Sequence, residues 1–214
     1  NTAVGYEALN QNTAANNTAV GYFALNVNTT GADNTSIGSA SLAANTTGTL
    51  NTASGSNALR YNTTGDNNTA LGRLALHNNT TANDNTAVGK SALFANTTGT
   101  KNVAVGATAL DANTTGDQNT ALGSRALSAN TTADNNTAVG EATLIVNTTG
   151  GSNTALGSNA LVSNTTASNN TAVGTVALGA NTTGAQNVGI GTSALGANTT
   201  ASYNSATGHH SLKL

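Results

Sequence analysis

The sequence lacks proline, cysteine, methionine and tryptophan altogether, and only 3% of its 214 residues are aromatic. Without cysteine, the chain has no disulfide framework and no thiolate metal site. With so few rings, it cannot build the usual globular core, in which aromatic side chains contribute much of the buried area. Disorder is also a poor explanation, because disordered chains normally carry much proline and a high net charge, whereas the net charge here is −2.

Long apolar runs and basic clusters are missing as well. No stretch approaches the ~18 apolar residues that a membrane span requires, and no leader pattern opens the chain. The six lysines and arginines are scattered, so no basic patch can follow a phosphate backbone. We therefore expect no membrane insertion of this segment and no nucleic-acid partner. Because the first residue is not methionine, we also expect either a processed product or a segment of a longer fibre protein.

Asparagine recurs with a spacing of 17 residues along almost the whole chain. The consensus is N-T-A-V-G-x-x-A-L-x-x-N-T-T-G-x-x, with repeat positions numbered 1 to 17 from this asparagine, and a first copy is one residue shorter. Self-similarity at a fixed period is typical of architectures in which each unit stacks on the next. The period predicts a single array over residues 1–214, with thirteen coils that start at residues 1, 17, 34, 51, 68, 85, 102, 119, 136, 153, 170, 187 and 204.

Several repeat positions never vary: position 5 is always glycine, position 9 is always leucine, and positions 12 and 13 are always Asn-Thr. Stacking explains such columns, because identical side chains then lie above one another at about 4.8 Å. We predict that these residues form structural ladders, among them Gly21, Gly38, Leu25, Leu42, Leu76, Leu127, Asn28, Asn45 and Asn62.

Charged residues occur only at repeat positions 6, 7, 10, 16 and 17, which marks three outward corners in each coil. The segments between the corners are too short for helices and lack helical spacing of apolar residues. The sequence therefore predicts an all-β fold without helix, a parallel β-solenoid or β-roll in which each repeat is one coil. Period-two alternation along N-T-A-V-G predicts that positions 2 and 4 (Thr, Val) face inward and that positions 1, 3 and 5 (Asn, Ala, Gly) face outward. This outward small-residue face suits close contact with another backbone, and we expect self-association through it.

The repeated N-T-A-V-G-x-x-A, with the variants N-V-A-V-G at 102–106 and N-V-G-I-G at 187–191, resembles the head repeats of trimeric autotransporter adhesins of the YadA type. Similar arrays occur in tail-fibre-like proteins of phages and bacteria. The resemblance covers the whole chain and implies a left-handed, usually trimeric β-roll at a cell surface or on a virion tail fibre, with the small-residue strands near the three-fold axis. The extra N-T-T-G segment makes this repeat longer than those, which leaves a self-sufficient triangular monomer as an alternative.

No catalytic, cofactor or metal site is expected, because a stack of near-identical coils offers no unique group of perturbed residues. His77, His209 and His210 fall at corner positions without a recurring third ligand, and the acidic corners lack the pattern of calcium-binding rolls. Eleven N-T-T triplets, from Asn28 to Asn198, match the N-glycosylation acceptor pattern. Their regular recurrence favours a structural ladder over glycan attachment. We therefore expect that the protein is not an enzyme and needs no cofactor.

Aromatic residues fall at the corners. Tyr6 and Tyr22 share repeat position 6 in adjacent coils, with Phe23 beside them. This group is a candidate for stacking on a sugar ring, and docking of a preceding domain is an equal alternative. The remaining aromatic residues are expected to stand alone: Tyr61, Phe94 and Tyr203.

Three functions fit the pattern. The leading one is a structural segment, shaft or head, of an extracellular fibre or filament, in which the ladders provide rigidity and spacing. The alternatives are an adhesin head that binds a surface glycan or matrix protein, and an ice-binding β-solenoid, although only one of the adjacent threonines at positions 13 and 14 can face outward. Neither end of the array carries a polar cap, so we expect either further coils in flanking sequence or end-to-end stacking of copies.

Overall fold

The computed structural model describes residues 1–212. Lys213, a predicted corner residue at repeat position 10, and Leu214 fall outside the described residues. Thirteen short strands form one parallel sheet whose spatial order follows the chain. The predicted all-β solenoid without helix is confirmed over the described range. The strands are β1 (Thr2–Val4), β2 (Thr18–Val20), β3 (Thr35–Ile37), β4 (Thr52–Ser54), β5 (Thr69–Leu71), β6 (Thr86–Val88), β7 (Val103–Val105), β8 (Thr120–Leu122), β9 (Thr137–Val139), β10 (Thr154–Leu156), β11 (Thr171–Val173), β12 (Val188–Ile190) and β13 (Ser205–Thr207).

The strands pair in register, so that each repeat position lies beside the same position of the next coil; Ala87 of β6, for example, is the partner of Ala104 of β7. Only the N-T-A-V-G segment of each coil forms regular strand. Positive φ angles at repeat positions 5, 7, 9 and 17 interrupt the extended backbone elsewhere. These irregular stretches are still bonded to both neighbouring coils: Ala40 N donates to Tyr22 O of the preceding coil at 2.8 Å, and Leu42 N donates to Ala58 O of the following coil at 3.1 Å.

The predicted orientation of the strands is wrong. In β7 the side chain of Ala104 is fully buried, as is the preceding Asn102, whereas Val105 is 36% exposed. The same alternation holds in every strand from β2 to β12, with repeat positions 1 and 3 buried and positions 2 and 4 partly or largely exposed. Period-two alternation was correct, but it cannot tell which set faces inward. The narrow interior beside the strand has room for alanine, and the asparagine side chain finds hydrogen-bond partners there. The larger aliphatic side chains of the strand, at position 4, therefore lie outside.

Leucine and alanine columns form the apolar core. The leucines at repeat position 9 pack against the alanines at positions 3 and 8, and Leu25, Leu42, Leu76 and Leu127 are fully buried. All thirteen of these leucines have φ between 48° and 54°, a left-handed conformation that costs a residue with a Cβ about 1–2 kcal/mol. Burial of a leucine side chain contributes roughly 1.5–3 kcal/mol, which offsets that strain.

Glycine at repeat position 5 is required by the neighbouring coil. Gly21 and Gly38 have φ of 142° and 131°, which other residues rarely adopt. A Cβ at Gly21 would lie 2.5 Å from the carbonyl oxygen of Gly38. The small residues therefore do contact another backbone, as expected, but that backbone belongs to the next coil of the same chain. The proposed self-association through an Ala/Gly face is accordingly wrong.

Candidate functional site

Asparagine side chains at repeat position 1 join successive coils from inside. Asn51 N donates to Asn34 Oδ1 of the preceding coil at 3.0 Å, and Asn34 Nδ2 donates to Gly48 O of its own coil at 2.8 Å. Both asparagines are fully buried. A buried amide without partners would cost a few kcal/mol. The ladder supplies those partners in each coil, and within residues 1–212 no buried side-chain nitrogen or oxygen lacks a hydrogen bond.

A second asparagine column runs along repeat position 12. Asn45 Nδ2 donates to Asn28 Oδ1 at 2.7 Å and to Gly48 O at 2.9 Å, and Asn62 Nδ2 donates to Asn45 Oδ1 at 2.7 Å. The carbonyl of Gly48 thus accepts from both asparagine columns. Because the N-T-T asparagines from Asn28 to Asn181 are buried and their amide groups are hydrogen-bonded, the folded coils cannot present them as glycan acceptors.

The two adjacent threonines after this asparagine play different parts. Thr46 Oγ1 donates to Thr63 O of the next coil at 3.0 Å, so the position 13 hydroxyl belongs to the ladder. Position 14 is exposed in every coil that carries threonine there, and none of these hydroxyls has a hydrogen-bond partner within residues 1–212. The exposed column comprises Thr30, Thr47, Thr64, Thr81, Thr98, Thr115, Thr132, Thr149, Thr166, Thr183 and Thr200.

The outer side of the sheet, formed by repeat positions 2 and 4, is a second continuous surface, named here the Thr/Val face. Position 2 is threonine, valine or serine in every coil, and position 4 is valine, leucine or isoleucine in all but Ser54 and Thr207. The face carries no charged residue. Its aliphatic side chains are substantially exposed, for example Ile37 at 44% and Ile190 at 41%. A long uncharged β surface of this kind is typical of an interaction surface.

The structure brings the predicted aromatic group together. The rings of Tyr6 and Tyr22 stack with centroids 5.4 Å apart, and Phe23 packs edge-on against Tyr22 with centroids 4.3 Å apart. Tyr22 remains 56% exposed. A hydrogen bond to the Glu7 carboxylate, and then its charge, raise the pKa of the Tyr6 phenol above its ordinary value.

The structure also contains a second ring cluster, which was not predicted from the sequence. His77 stacks on Phe94 with centroids 5.1 Å apart, and Tyr61 packs edge-on against His77 with centroids 4.9 Å apart. The Arg60 guanidinium carbon lies 5.2 Å from the centre of the Tyr61 ring. The prediction that Tyr61 and Phe94 stand alone is therefore wrong, because positions 10 and 11 of adjacent coils are near neighbours. The spacing of the corner residues in the repeat could have shown this.

The charged corners are otherwise dispersed. Arg125 and Glu141 form an exposed ion pair at 3.4 Å, which contributes little to stability. Burial raises the pKa of Asp111 above its ordinary value, and a backbone hydrogen bond partly opposes that rise. His209 and His210 contact each other edge-on. In the described part of the chain, no three histidine, aspartate or glutamate side chains are grouped so that they could hold a metal ion.

No helix in residues 1–212 has the length and apolar character of a membrane span. Comparison with protein-family models, with curated proteins and with solved structures gives no match. The function therefore has to be argued from the chain itself. Its distinctive surfaces are the Thr/Val face and the aromatic corners.

Proposed function

We propose that the chain is a rigid, non-catalytic structural segment of an extracellular fibre or filament. The observation that carries the proposal is the continuity of the asparagine ladders: successive coils are joined by side-chain bonds such as Asn62 to Asn45 and Asn68 N to Asn51 Oδ1 at 2.9 Å. Each coil contacts only its neighbours, so stiffness and stability are distributed along the axis. Thirteen strands at about 4.8 Å make a rod about 60 Å long.

Self-association through the Thr/Val face would suit this role. The Thr/Val face is continuous, uncharged and rich in exposed aliphatic side chains, and burying it against copies of the chain would remove apolar surface from water. A three-fold arrangement, as the resemblance to adhesin heads implies, would place this face, rather than an Ala/Gly face, at the axis. End-to-end stacking would use the backbone groups of the terminal coils.

Charge substitutions on the Thr/Val face test the proposal. The pair Val88→Lys and Val139→Lys would place two unpaired charges in the interface, and we expect a single rod in sedimentation velocity where the unaltered chain forms a multimer. Thr98→Lys and Thr149→Lys alter the exposed threonine column of the same two coils and serve as the matched control, which is expected to remain multimeric. An unaltered chain that stays a single rod at high concentration would overturn self-association, and a compact particle in small-angle scattering would overturn the rod.

Recognition of a surface glycan is a second candidate, favoured by the clustering of rings on one side of the first six coils.

For the ice-binding alternative, repeat position 14 offers one exposed threonine column. Thermal hysteresis measured on the same sample tests that alternative.

A further inference from the structure

Aromatic residues are not distributed evenly over the array. Five of the six tyrosines and phenylalanines lie between residues 6 and 94, all at repeat positions 6, 7, 10 or 11. These positions lie outside the ladders, and from coil 7 onward they hold residues as different as Gly179, Asp111 and Ile145, with no tyrosine or phenylalanine. Stacking of the coils therefore does not require rings there. The concentration of rings on one side of six consecutive coils needs another reason.

A groove lies between the two ring clusters. Coil 3 carries Ser39, Ala40 and Ala43 where coil 2 carries Tyr22 and Phe23 and coil 4 carries Arg60. The small side chains form the floor and the larger ones form the walls. The groove has a volume of about 440 Å³ and is lined by Tyr22, Phe23, Asn26, Ser39, Ala40, Ala43, Asn57 and Arg60. This volume lies within the range of small-ligand sites.

Polar groups with spare hydrogen-bonding capacity border the rings. Asn26 uses its Nδ2 on Glu7 O at 3.0 Å and on the Glu7 carboxylate at 3.2 Å, which leaves its Oδ1 without a donor. Arg60 makes a single hydrogen bond, from Nη1 to Asn57 Oδ1 at 3.0 Å. This bond holds the guanidinium beside the groove while its other N–H groups remain free to bind an anion.

We propose that this groove binds a short acidic saccharide. The exposed face of Tyr22 would stack on the C–H face of one sugar ring. Asn26 Oδ1 would accept from one of its hydroxyls, Ser39 Oγ would donate to or accept from another, and Arg60 would pair with a carboxylate of the sugar. The pairing of an aromatic platform with planar polar side chains matches the two chemically different sides of a pyranose. The proposal deepens the glycan-recognition candidate and does not depend on the fibre role.

The size of the groove favours a saccharide over a protein segment. Coils 2 and 4 are separated by two steps of about 4.8 Å, or about 10 Å. A stable protein interface buries about 800 Å² on each partner, far more than such a short groove offers. A docked protein domain would have to extend well beyond the groove, over several further coils on either side of it.

Titration calorimetry with tri-galacturonic acid, and with the neutral galactose trisaccharide as a comparison, tests the proposal. We expect the acidic sugar to bind more tightly. Tyr22→Ala should weaken both sugars at least about tenfold, and Arg60→Gln should weaken only the acidic one. Tyr203→Ala and Arg125→Gln, which change an exposed ring and an exposed arginine outside the groove, are the matched controls and should leave binding unchanged.

Ala43→Phe provides a variant that keeps the fold. It fills the groove with the residue that Phe94 already supplies at the same repeat position, and it should abolish binding without altering the melting temperature. Absence of binding to either sugar at millimolar concentration would overturn the proposal, as would binding that survives Tyr22→Ala and Ala43→Phe. A protein ligand that requires the groove while both sugars fail to bind would also overturn it. Rod length and sedimentation are measured independently, so failure here is distinguishable from failure of the fibre proposal.

Discussion

Repeat positions 9 and 10 are adjacent in the chain but show opposite behaviour. Position 9 is leucine in all thirteen coils, whereas position 10 ranges from Gly179 to Asp111 and Phe94. The leucines contact the same residue types above and below, so any change disturbs three coils. The side chains at position 10 lie at the corner, and most of them are partly exposed. Repeat positions that never vary are therefore those whose side chains stabilise the stacking of the coils. Departures from the repeat are where a specific function has to be sought.

The largest loss of stability is expected for a charge at position 9. Leu127→Asp, or Leu76→Asp, would place a charge in the buried column without a partner, and we expect destabilisation of more than about 4 kcal/mol with loss of the neighbouring coils. Ser128→Asp is the matched control, because Asp111 already occupies the same repeat position. Its effect should remain within about 0.5 kcal/mol. Chemical denaturation followed by circular dichroism gives both values, and equal effects would show that position 9 is not interior.

The glycines also allow an invariant repeat position to be compared with a variable one. A Cβ at Gly89 would lie 2.5 Å from Gly106 O, and its φ is 135°, so Gly89→Ala should cost about 2–4 kcal/mol. Gly151 lies at repeat position 16, where Ala32 and Ala185 occur in other coils. A Cβ there would lie 3.1 Å from Asp134 O, a milder contact, so Gly151→Ala should cost much less than Gly89→Ala. Thermal unfolding of the two variants makes the comparison. A neutral Gly89→Ala would contradict the close approach of adjacent coils.

Removing one rung of the asparagine ladder should have an intermediate effect. Asn96→Ala eliminates donation to Asn79 Oδ1 at 3.0 Å and to Gly99 O at 2.9 Å, and it leaves Asn113 Nδ2 without its acceptor on the preceding coil. We expect a loss of about 2–3 kcal/mol in the free energy of unfolding. Thr98→Ala, two residues further on and exposed, should have almost no effect in the same denaturation experiment. If both variants lost the same free energy of unfolding, the asparagine ladder could not be what stabilises the stack of coils.

The smallest expected effect concerns Asp111. Because burial raises its folded-state pKa, the folded chain binds this proton more tightly than the unfolded chain, and its contribution to stability falls as pH rises through the unfolded-state pKa towards the folded-state value. Asp111→Asn removes the charge and should stabilise the protein at pH 7 by an amount on the order of 0.5 kcal/mol, typical of surface substitutions. The gain should vanish at a pH below the unfolded-state pKa. Melting curves of Asp111→Asn and the unaltered chain, recorded at pH 7 and at a pH below the unfolded-state pKa, test whether the variant is stabilised only at the higher pH.

Much of the fold could be predicted because the period is so regular: the coil starts, the in-register columns and the absence of helix all follow from it. The orientation of the strand could not, because Thr-Ala-Val alternates equally well in either sense. The decision depends on the room inside the coil, where alanine fits above alanine and asparagine finds amide partners. The left-handed backbone of the leucines could not be predicted either, because sequence rules expect glycine or asparagine there.

For the candidate site, the grouping of Tyr6, Tyr22 and Phe23 could be predicted from their shared corner in adjacent coils. The groove beside them could not, because it depends on small residues in coil 3 and on Arg60 in coil 4. The stacking of His77 on Phe94 could have been predicted in the same way, because both lie at repeat position 10 of adjacent coils. The contact of His77 with Tyr61, at position 11, depends on how positions 10 and 11 lie in three dimensions. Such features arise from differences between coils, which a consensus averages away.

The most direct test of the account uses the absence of native cysteine, which lets a single introduced thiol report its own exposure. Ala104→Cys and Val105→Cys differ by one residue in β7, and both are placed in the Val88→Lys, Val139→Lys background so that self-association does not shield the outer face. Maleimide labelling under native conditions should modify Val105→Cys rapidly and should modify Ala104→Cys only after unfolding. Rapid labelling of Ala104→Cys with protection of Val105→Cys would contradict an interior built from asparagine, alanine and leucine.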